Sequence, residues 1–434
     1  MSRLLDQPRY KCALSAMQTV HSITRAIPIL HSGPGCATKL NDTSGTSGYF
    51  SPNIFPCTSV SEKEVVFGGN DKLRDTVANA LKIIDADLFV ILTGCTSELI
   101  GDDIAKVASE FKDAPKPVLF ANTPGFKGNN YVGHDWILKA IFEQYLPTLP
   151  AQKKQKGLVN LFVGQPVQDP YWLGNLREIE SLLRQIGLTP NTIFGHGRGV
   201  KNIDLLPAAE YNILVSPWVG LESARYLADT YGAPLLHYPV VPIGAFETTK
   251  FLRAVGVFTG ADKKRTEAVI KENEDEYYYF IERFADTFLE MRIMSKRFVT
   301  VSDAEYSLAV TKFFVNDLGM FPMTQFITDD TPKQYRPLIE KEFSELNYGI
   351  KAEVEFITEG RAIHDKIRKT DFAGIPMIVG TSWEHDVANE IYAHHINISY
   401  PLIKLVMNSH LTGYSGGLKL IEDMYSIASA KLLL

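Results

Sequence analysis

Two rhythms of apolar and polar positions alternate along the chain. Short apolar runs bounded by Gly or Pro recur at AIPILHSG (26–33), DLFVILTG (87–94), PVLFANTPG (117–125), LVNLFVGQ (158–165) and YNILVSP (211–217). They continue at PLLHYPVVPIG (234–244), RFVTVSD (297–303), TQFITDD (324–330), AEVEFIT (352–358) and IPMIVGTS (375–382). Runs of this length between turn residues read as strands. Between them the spacing becomes helical: Leu73, Val77, Ala80, Leu81 and Ile84 fall on one helix face, and the stretches 179–186 and 273–294 follow suit. Strands alternating with helices predict an α/β fold with parallel sheets. There are too many strands for one sheet, so three doubly wound units are expected. The polar, basic stretch TLPAQKKQKG (148–157) reads as a linker, and the helical run 273–294 leads into a fresh strand at Arg297. These breaks divide the chain into 1–155, 156–290 and 291–434.

Composition narrows the class. The chain has 434 residues, 45% hydrophobic and 22% charged, an ordinary globular balance with room for several domains. Mean hydropathy is −0.05. No apolar run approaches the ~18 residues of a membrane span. The start, MSRLLDQPRYKCALSA, lacks the basic and apolar blocks of a signal peptide, so a cytoplasmic protein is expected. A net charge of −6 without a Lys/Arg tract gives no reason to expect nucleic acid.

The four cysteines, Cys12, Cys36, Cys57 and Cys95, all lie in the first 95 residues. A disulfide framework does not suit a large cytoplasmic protein. Two readings remain: a site, or four buried small hydrophobes. Position bears on the choice. Cys12 precedes a helical run starting near Ala13. Cys36 follows an apolar run and the turn Ser32-Gly33-Pro34-Gly35. Cys95 follows the run 87–92 and precedes the helix containing Ile100 and Ile104. In open α/β sheets ligands gather beyond the carboxyl ends of strands, where helix N-termini favour thiolates and anionic clusters. Gly33, Gly35 and Gly94 would let backbone approach a bulky inorganic group. Cys57 follows Pro56 and precedes a capping-box pair, Ser61 and Glu64. It could be a fourth ligand, but packing suits it better. Zinc sites usually contain a tight cysteine pair. Three widely spaced cysteines fit an iron–sulfur cluster completed by another chain.

Other signals are weaker. His31 in LHSGPGC could orient the cysteine loop or be a hydrogen-bonded structural residue. Gly68-Gly69 is not a phosphate loop, since no G-x-x-x-x-G-K-[ST] occurs, so this chain is not expected to bind ATP. His196-Gly197-Arg198-Gly199 and His394-His395 read as structural or solvent-facing.

The segments KCALSA around Cys12, HSGPGC ending at Cys36, PCTSVSEKEVVFGG (56–69), TGCTSELIGDD (93–103) and FANTPGF (120–126) resemble the catalytic component of nitrogenase and its relatives, in the order and spacing of the β-type subunit. The resemblance implies three Rossmann-like domains and an α2β2 heterotetramer. It places Cys12, Cys36 and Cys95 on the three β-chain ligands of a P-cluster, an [8Fe-7S] centre shared with the α chain. Cys57 falls on a cysteine that is not a ligand. Phe67 falls on the aromatic residue of the docking surface for an ATP-hydrolysing Fe–S reductase component; packing under the helix that starts near Asp71 is the alternative. The family's active-site iron–sulfur cofactor is held by the α chain through a Cys and a His. No cysteine follows position 95 here, so this chain is expected to be the relay subunit.

The sequence also departs from the family pattern. Gly125 stands where molybdenum nitrogenase has a serine that ligates the oxidised cluster. Lys39 replaces a tyrosine, and Asn53 lies near an acidic ligand for a metal between β chains. Only eleven residues precede Cys12. These departures point to a nitrogenase-like reductase, with the β subunit of methylthio-alkane reductase, which cleaves C–S bonds, as the expected type. A true molybdenum, vanadium or iron-only nitrogenase, a cofactor-assembly scaffold, and a tetrapyrrole reductase with a simpler [4Fe-4S] centre are the alternatives. The scaffold is disfavoured because scaffold chains of the β type tend to lose relay cysteines.

Overall fold

The computed structural model describes residues 9–45, 55–291, 294–402 and 404–433. Three separate sheets form, and every strand pairing in them is parallel. The first contains β1 (Ala26–His31), β2 (Leu88–Thr93) and β3 (Val118–Ala121), in that order. The second contains β4 (Gln155–Val163), β5 (Thr189–Asn191), β6 (Ala209–Val215) and β7 (Leu235–Tyr238), ordered β5-β4-β6-β7. The third contains β8 (Arg297–Ser302), β9 (Phe321–Pro322), β10 (Gln325–Ile327), β11 (Val354–Phe356), β12 (Pro376–Gly380) and β13 (His394–Asn397). Its order is β11-β10-β8-β12-β13, with β9 beside β8.

The apolar runs became the central strands because both sheet faces are covered. All six residues of β2 are buried. On one face, Phe89 and Ile91 meet Leu73, Val77 and Ala80 of the helix Asn70–Ile83. Burial of each large side chain here stabilises by roughly 1.5–3 kcal/mol. Three strands have no counterpart among the apolar runs: β5 (TPN), β9 (FP) and β13 (HHIN). They are short, and β5 and β13 are polar in sequence, so pairing rather than hydrophobicity defines them. The helical run from Asn273 is part of a longer helix, Lys263–Met291, whose first turns are charged and gave no apolar stripe. The last helix, Gly413–Leu433, packs back on that helix and on Gly244–Thr259.

Carboxyl side chains crowd between the second and third sheets. Asp169, Glu305 and Asp329 are buried, and Asp303 beside them is partly buried. Tyr306 donates its hydroxyl to Asp169 at 2.6 Å, and Trp218 donates its indole N–H to Asp329 at 3.1 Å. Burial, then repulsion from Asp329 and Asp169, pushes Asp303 up to about 7. A carboxyl raised in the folded state contributes stability that is intact below the unfolded pKa of roughly 4 and is lost as pH rises through the folded value. Asp303→Asn keeps an oxygen to accept the Tyr306 N–H, now at 2.9 Å, but cannot ionise. Its stability relative to the parent is expected to rise between pH 5 and 8, by about 2.6 kcal/mol. Thermal melts across that range test this; a variant that tracks its parent at every pH would mean Asp303 is not protonated.

Candidate functional site

The cysteine loops leave the first sheet at one edge. His31 and Thr93 are register partners at the ends of β1 and β2, so the chains that follow start side by side. After β1, the helix Pro34–Gly45 opens with Pro34, and Cys36 sits exposed in its first turn. After β2, Gly94 is the N-cap and Cys95 the first residue of the helix Cys95–Ile100. Cys12 caps the 3-10 turn Ala13–Ala16 and is tied to Asn129 by an antiparallel bridge, with Ala13 N–H donating to Gly128 C=O at 3.1 Å.

The Cys12 and Cys95 pieces meet at Gly125, in the loop after β3. A Cβ there would lie 2.8 Å from Cys12 Cβ, 3.5 Å from Cys95 Sγ and 3.7 Å from Cys12 Sγ. Only glycine fits that approach without displacing Cys12. Burial raises the Cys12 thiol, and Cys95 adds to the rise, while the N–H groups of Ser15 and Leu14 oppose it. Burial also raises Cys36, followed by repulsion from Cys12, Cys95 and Cys57. Cys95 is therefore close enough to Cys12 and to Cys36 to raise both thiols, and Cys12 close enough to raise Cys36. Cys12 and Cys36 are exposed, which is unusual for free cysteine. Among the described residues, no three His, Cys, Asp or Glu side chains lie close enough to hold one metal ion.

Cys57 is held differently. It is half-buried, its sulfur accepts from Ser59 N–H at 3.3 Å, and it lies 3.6 Å from Ser32 C=O. His31 is structural. Its Nδ1 is 3.1 Å from Thr58 Oγ1 and its Nε2 is 2.8 Å from Asp102 Oδ2, so both ring nitrogens are occupied. Burial lowers its pKa, ahead of the opposing influence of Asp102. The same carboxylate accepts from Gly69 N–H at 2.8 Å.

The helix Glu62–Phe67 starts where Glu64 accepts from the Ser61 N–H at 2.8 Å and hydroxyl at 2.6 Å. It stops at Gly68, whose φ of +89° suits glycine. Phe67 is 81% exposed and Val66 71% exposed, so Phe67 does not pack under the helix Asn70–Ile83. Lys39 is exposed on the helix Pro34–Gly45, and Asn53 lies outside the described residues. Arg198 pairs with Glu180 at 3.2 Å, and His394 meets Ser295 at 3.0 Å; both are structural contacts. Sequence reasoning missed Asp102 as the partner of His31, although it stands in the TGCTSELIGDD segment. It also missed the buried Arg9 and the buried ammonium of the half-buried Lys11, which no local pattern marks.

The family model described as nitrogenase component 1 type oxidoreductase matches residues 12–429. The chain belongs to this family. Among relatives, the nitrogenase molybdenum-iron protein beta chain of Bradyrhizobium diazoefficiens is 24% identical over 427 residues, covering 92% of this chain and 79% of that one. The corresponding beta chain of Methanococcus maripaludis is 26% identical over 456 residues, covering 95% and 91%. A light-independent protochlorophyllide reductase chain of Stigeoclonium helveticum is 24% identical over 273 residues, covering 61% and 53%. A solved structure, "Nitrogenase Cp1 at pH 6.5", superposes with a TM-score of 0.83 at 19% identity, covering all of this chain and 95% of that one. This component 1 chain is thus a β-chain-like oxidoreductase subunit with the parallel α/β fold expected from its sequence. No helix among its described residues is long and apolar enough to cross a membrane.

Proposed function

We propose that this chain is the β subunit of a nitrogenase-like α2β2 reductase, holding half of a shared Fe–S cluster through Cys12, Cys36 and Cys95. The observation that carries this reading is the approach of Cys12 and Cys95 at Gly125, with the exposed Cys36 near enough to both for them to raise its thiol. The raised thiols of Cys12 and Cys36 need cations beside them to ionise, and a group of several irons supplies these. The exposed side of the arrangement calls for a second chain, which fits an [8Fe-7S] P-cluster completed by an α-type subunit. When bound, such a cluster accepts and passes on low-potential electrons. The chain's own residues hold and tune it. The three sulfurs are ligands, Gly125 clears the space between them, and the N–H groups of Leu14 and Ser15 favour the thiolate of Cys12. Electrons would arrive from an ATP-hydrolysing Fe–S component and leave for the active-site cofactor in the α-type subunit.

The reaction we assign is reductive cleavage of C–S bonds in small methylthio-alkanes. Two electrons and two protons convert a methyl thioether into a thiol and a hydrocarbon. Support comes from the departures at Gly125 and Lys39. A serine side chain at 125 would collide with Cys12, so a redox-switched serine ligand does not belong to this site. A tetrapyrrole-reducing role is less favoured, because the match to protochlorophyllide reductase spans 61% of the chain against 92–95% for the nitrogenase beta chains.

Anaerobic purification with iron and sulfide analysis tests the shared cluster. The lone chain should carry no complete cluster, while co-expression with its α-type partner restores it; about eight irons on the lone chain would reject sharing. Thiol release from a methyl sulfide by the reconstituted complex tests the substrate. Ammonia from N2 without thiol release would reassign the reaction.

A further inference from the structure

At the carboxyl ends of β12 and β13, buried polar atoms stand without partners. The segment leading into Cys12 crosses this edge and sends two cations into it. The Arg9 guanidinium lies 5.1 Å from the Trp383 ring centroid, and the Lys11 ammonium lies 4.4 Å from that of Tyr400. The two loops bearing those rings are one unit: Ser382 N–H donates to Pro401 C=O at 2.8 Å, and Ile398 N–H to Gly380 C=O at 2.9 Å. Six side-chain atoms here are buried and unpartnered: Arg9 Nε and Nη1, Lys11 Nζ, Asn397 Nδ2 and Oδ1, and Ser399 Oγ.

Their chemistry is one-sided. Four are nitrogens that only donate, one is a hydroxyl, and only the Asn397 carbonyl must accept. The charge is one-sided too. Glu384 neutralises Arg9 through a 2.5 Å contact and is saturated, since His364 Nε2 lies 3.1 Å from the same oxygen and Thr381 donates twice to the other. The Lys11 ammonium has no hydrogen-bond partner and no Asp or Glu beside it among the described residues, the Cys12 thiol being its acidic neighbour. Buried donors and an ammonium without a hydrogen-bond acceptor are costly to leave empty. Strand carboxyl ends are also where open parallel sheets take ligands.

We infer that this edge is a binding site for a singly charged oxyanion, a carboxylate or phosphate group, held by Arg9, Lys11, Asn397 and Ser399. The site is independent of the cluster reading, although its occupant steadies the chain just ahead of Cys12. The oxyanion comes either from a free small molecule or from a carboxylate of the α-type subunit.

Thermal-shift and calorimetric titrations with inorganic phosphate and with acetate, at ionic strength held constant with chloride, test it on the full chain and on the assembled complex. Saturable stabilisation of the chain is expected. Lys11→Met and Asn397→Leu should each raise half-saturation at least about ten-fold, while the exposed Lys106→Met leaves it unchanged. If one of the first two variants does not fold, the other and Ser399→Ala carry the comparison. Response in both chain and complex identifies a free anion; response in the chain alone identifies the partner's carboxylate. No saturable response in either, or an equal response in all variants, overturns the site and leaves water as its occupant.

Discussion

Cys36→Ser and Cys95→Ser are expected to abolish iron binding by the assembled complex, while Cys57→Ser retains it with a small loss of stability. Cys95 is the first residue of its helix, with its sulfur beside Gly125 and close to Cys12. Cys36 sits in the first turn of its own helix and is held against ionisation partly by Cys12 and Cys95. A serine hydroxyl at either place is a far poorer iron ligand than a thiolate. Cys57 also lies near Cys36, but its sulfur is engaged by the Ser59 N–H and lies near the Ser32 carbonyl. A serine there can keep the Ser59 contact, and one added half-buried hydroxyl costs about 1–3 kcal/mol. Anaerobic iron analysis with low-temperature EPR on each variant complex reads the difference. Loss of iron in Cys57→Ser as complete as in Cys95→Ser would mean that the ligand assignment is wrong.

The strands that could be read from sequence are those whose burial is written in their composition. LFVILT is buried along its whole length and reads as an apolar run. HHIN is equally a strand, but His394 satisfies its ring by meeting Ser295, and His395 by meeting the Thr381 carbonyl, so no hydrophobic signal remained. At the site, Gly94 and the Ser32–Gly35 turn marked strand ends, and the cysteines beside them could be found. Their convergence could not be derived from spacing, because it depends on β1 and β2 being register neighbours and on the Cys12 segment bridging to Asn129. Arg9 and Lys11 gave no sign at all. A cation next to a cysteine is common in sequence, and only the fold reveals that these two side chains reach a different sheet.

Phe67→Ala is expected to weaken docking of the ATP-hydrolysing Fe–S component by about 2 kcal/mol or more, roughly thirty-fold or more in Kd, and to leave the cluster in place. The side chain is 81% exposed at the end of a helix that also presents Val65 and Val66, so three neighbouring apolar side chains face solvent together. An aromatic at the centre of such a patch has large area to bury against a partner and few rotamers to freeze. Its removal takes little from the folded chain, because Phe67 has no core to leave; a surface change of this kind usually shifts stability by less than about 0.5 kcal/mol. The turn that presents it is held from behind, through the Gly69 N–H bonded to Asp102 and Asp102 against His31, so the alanine variant should keep the same backbone. ATP-dependent substrate reduction with the partner component titrated, read beside the cluster's EPR spectrum, makes the measurement. An unchanged dependence on partner concentration would remove Phe67 from the docking surface, and a lost cluster signal would make it a support for the cysteine loops. A raised half-saturation with an unaltered spectrum would place the arrival of electrons at the end of the helix Glu62–Phe67, on the same sheet edge as the three thiols.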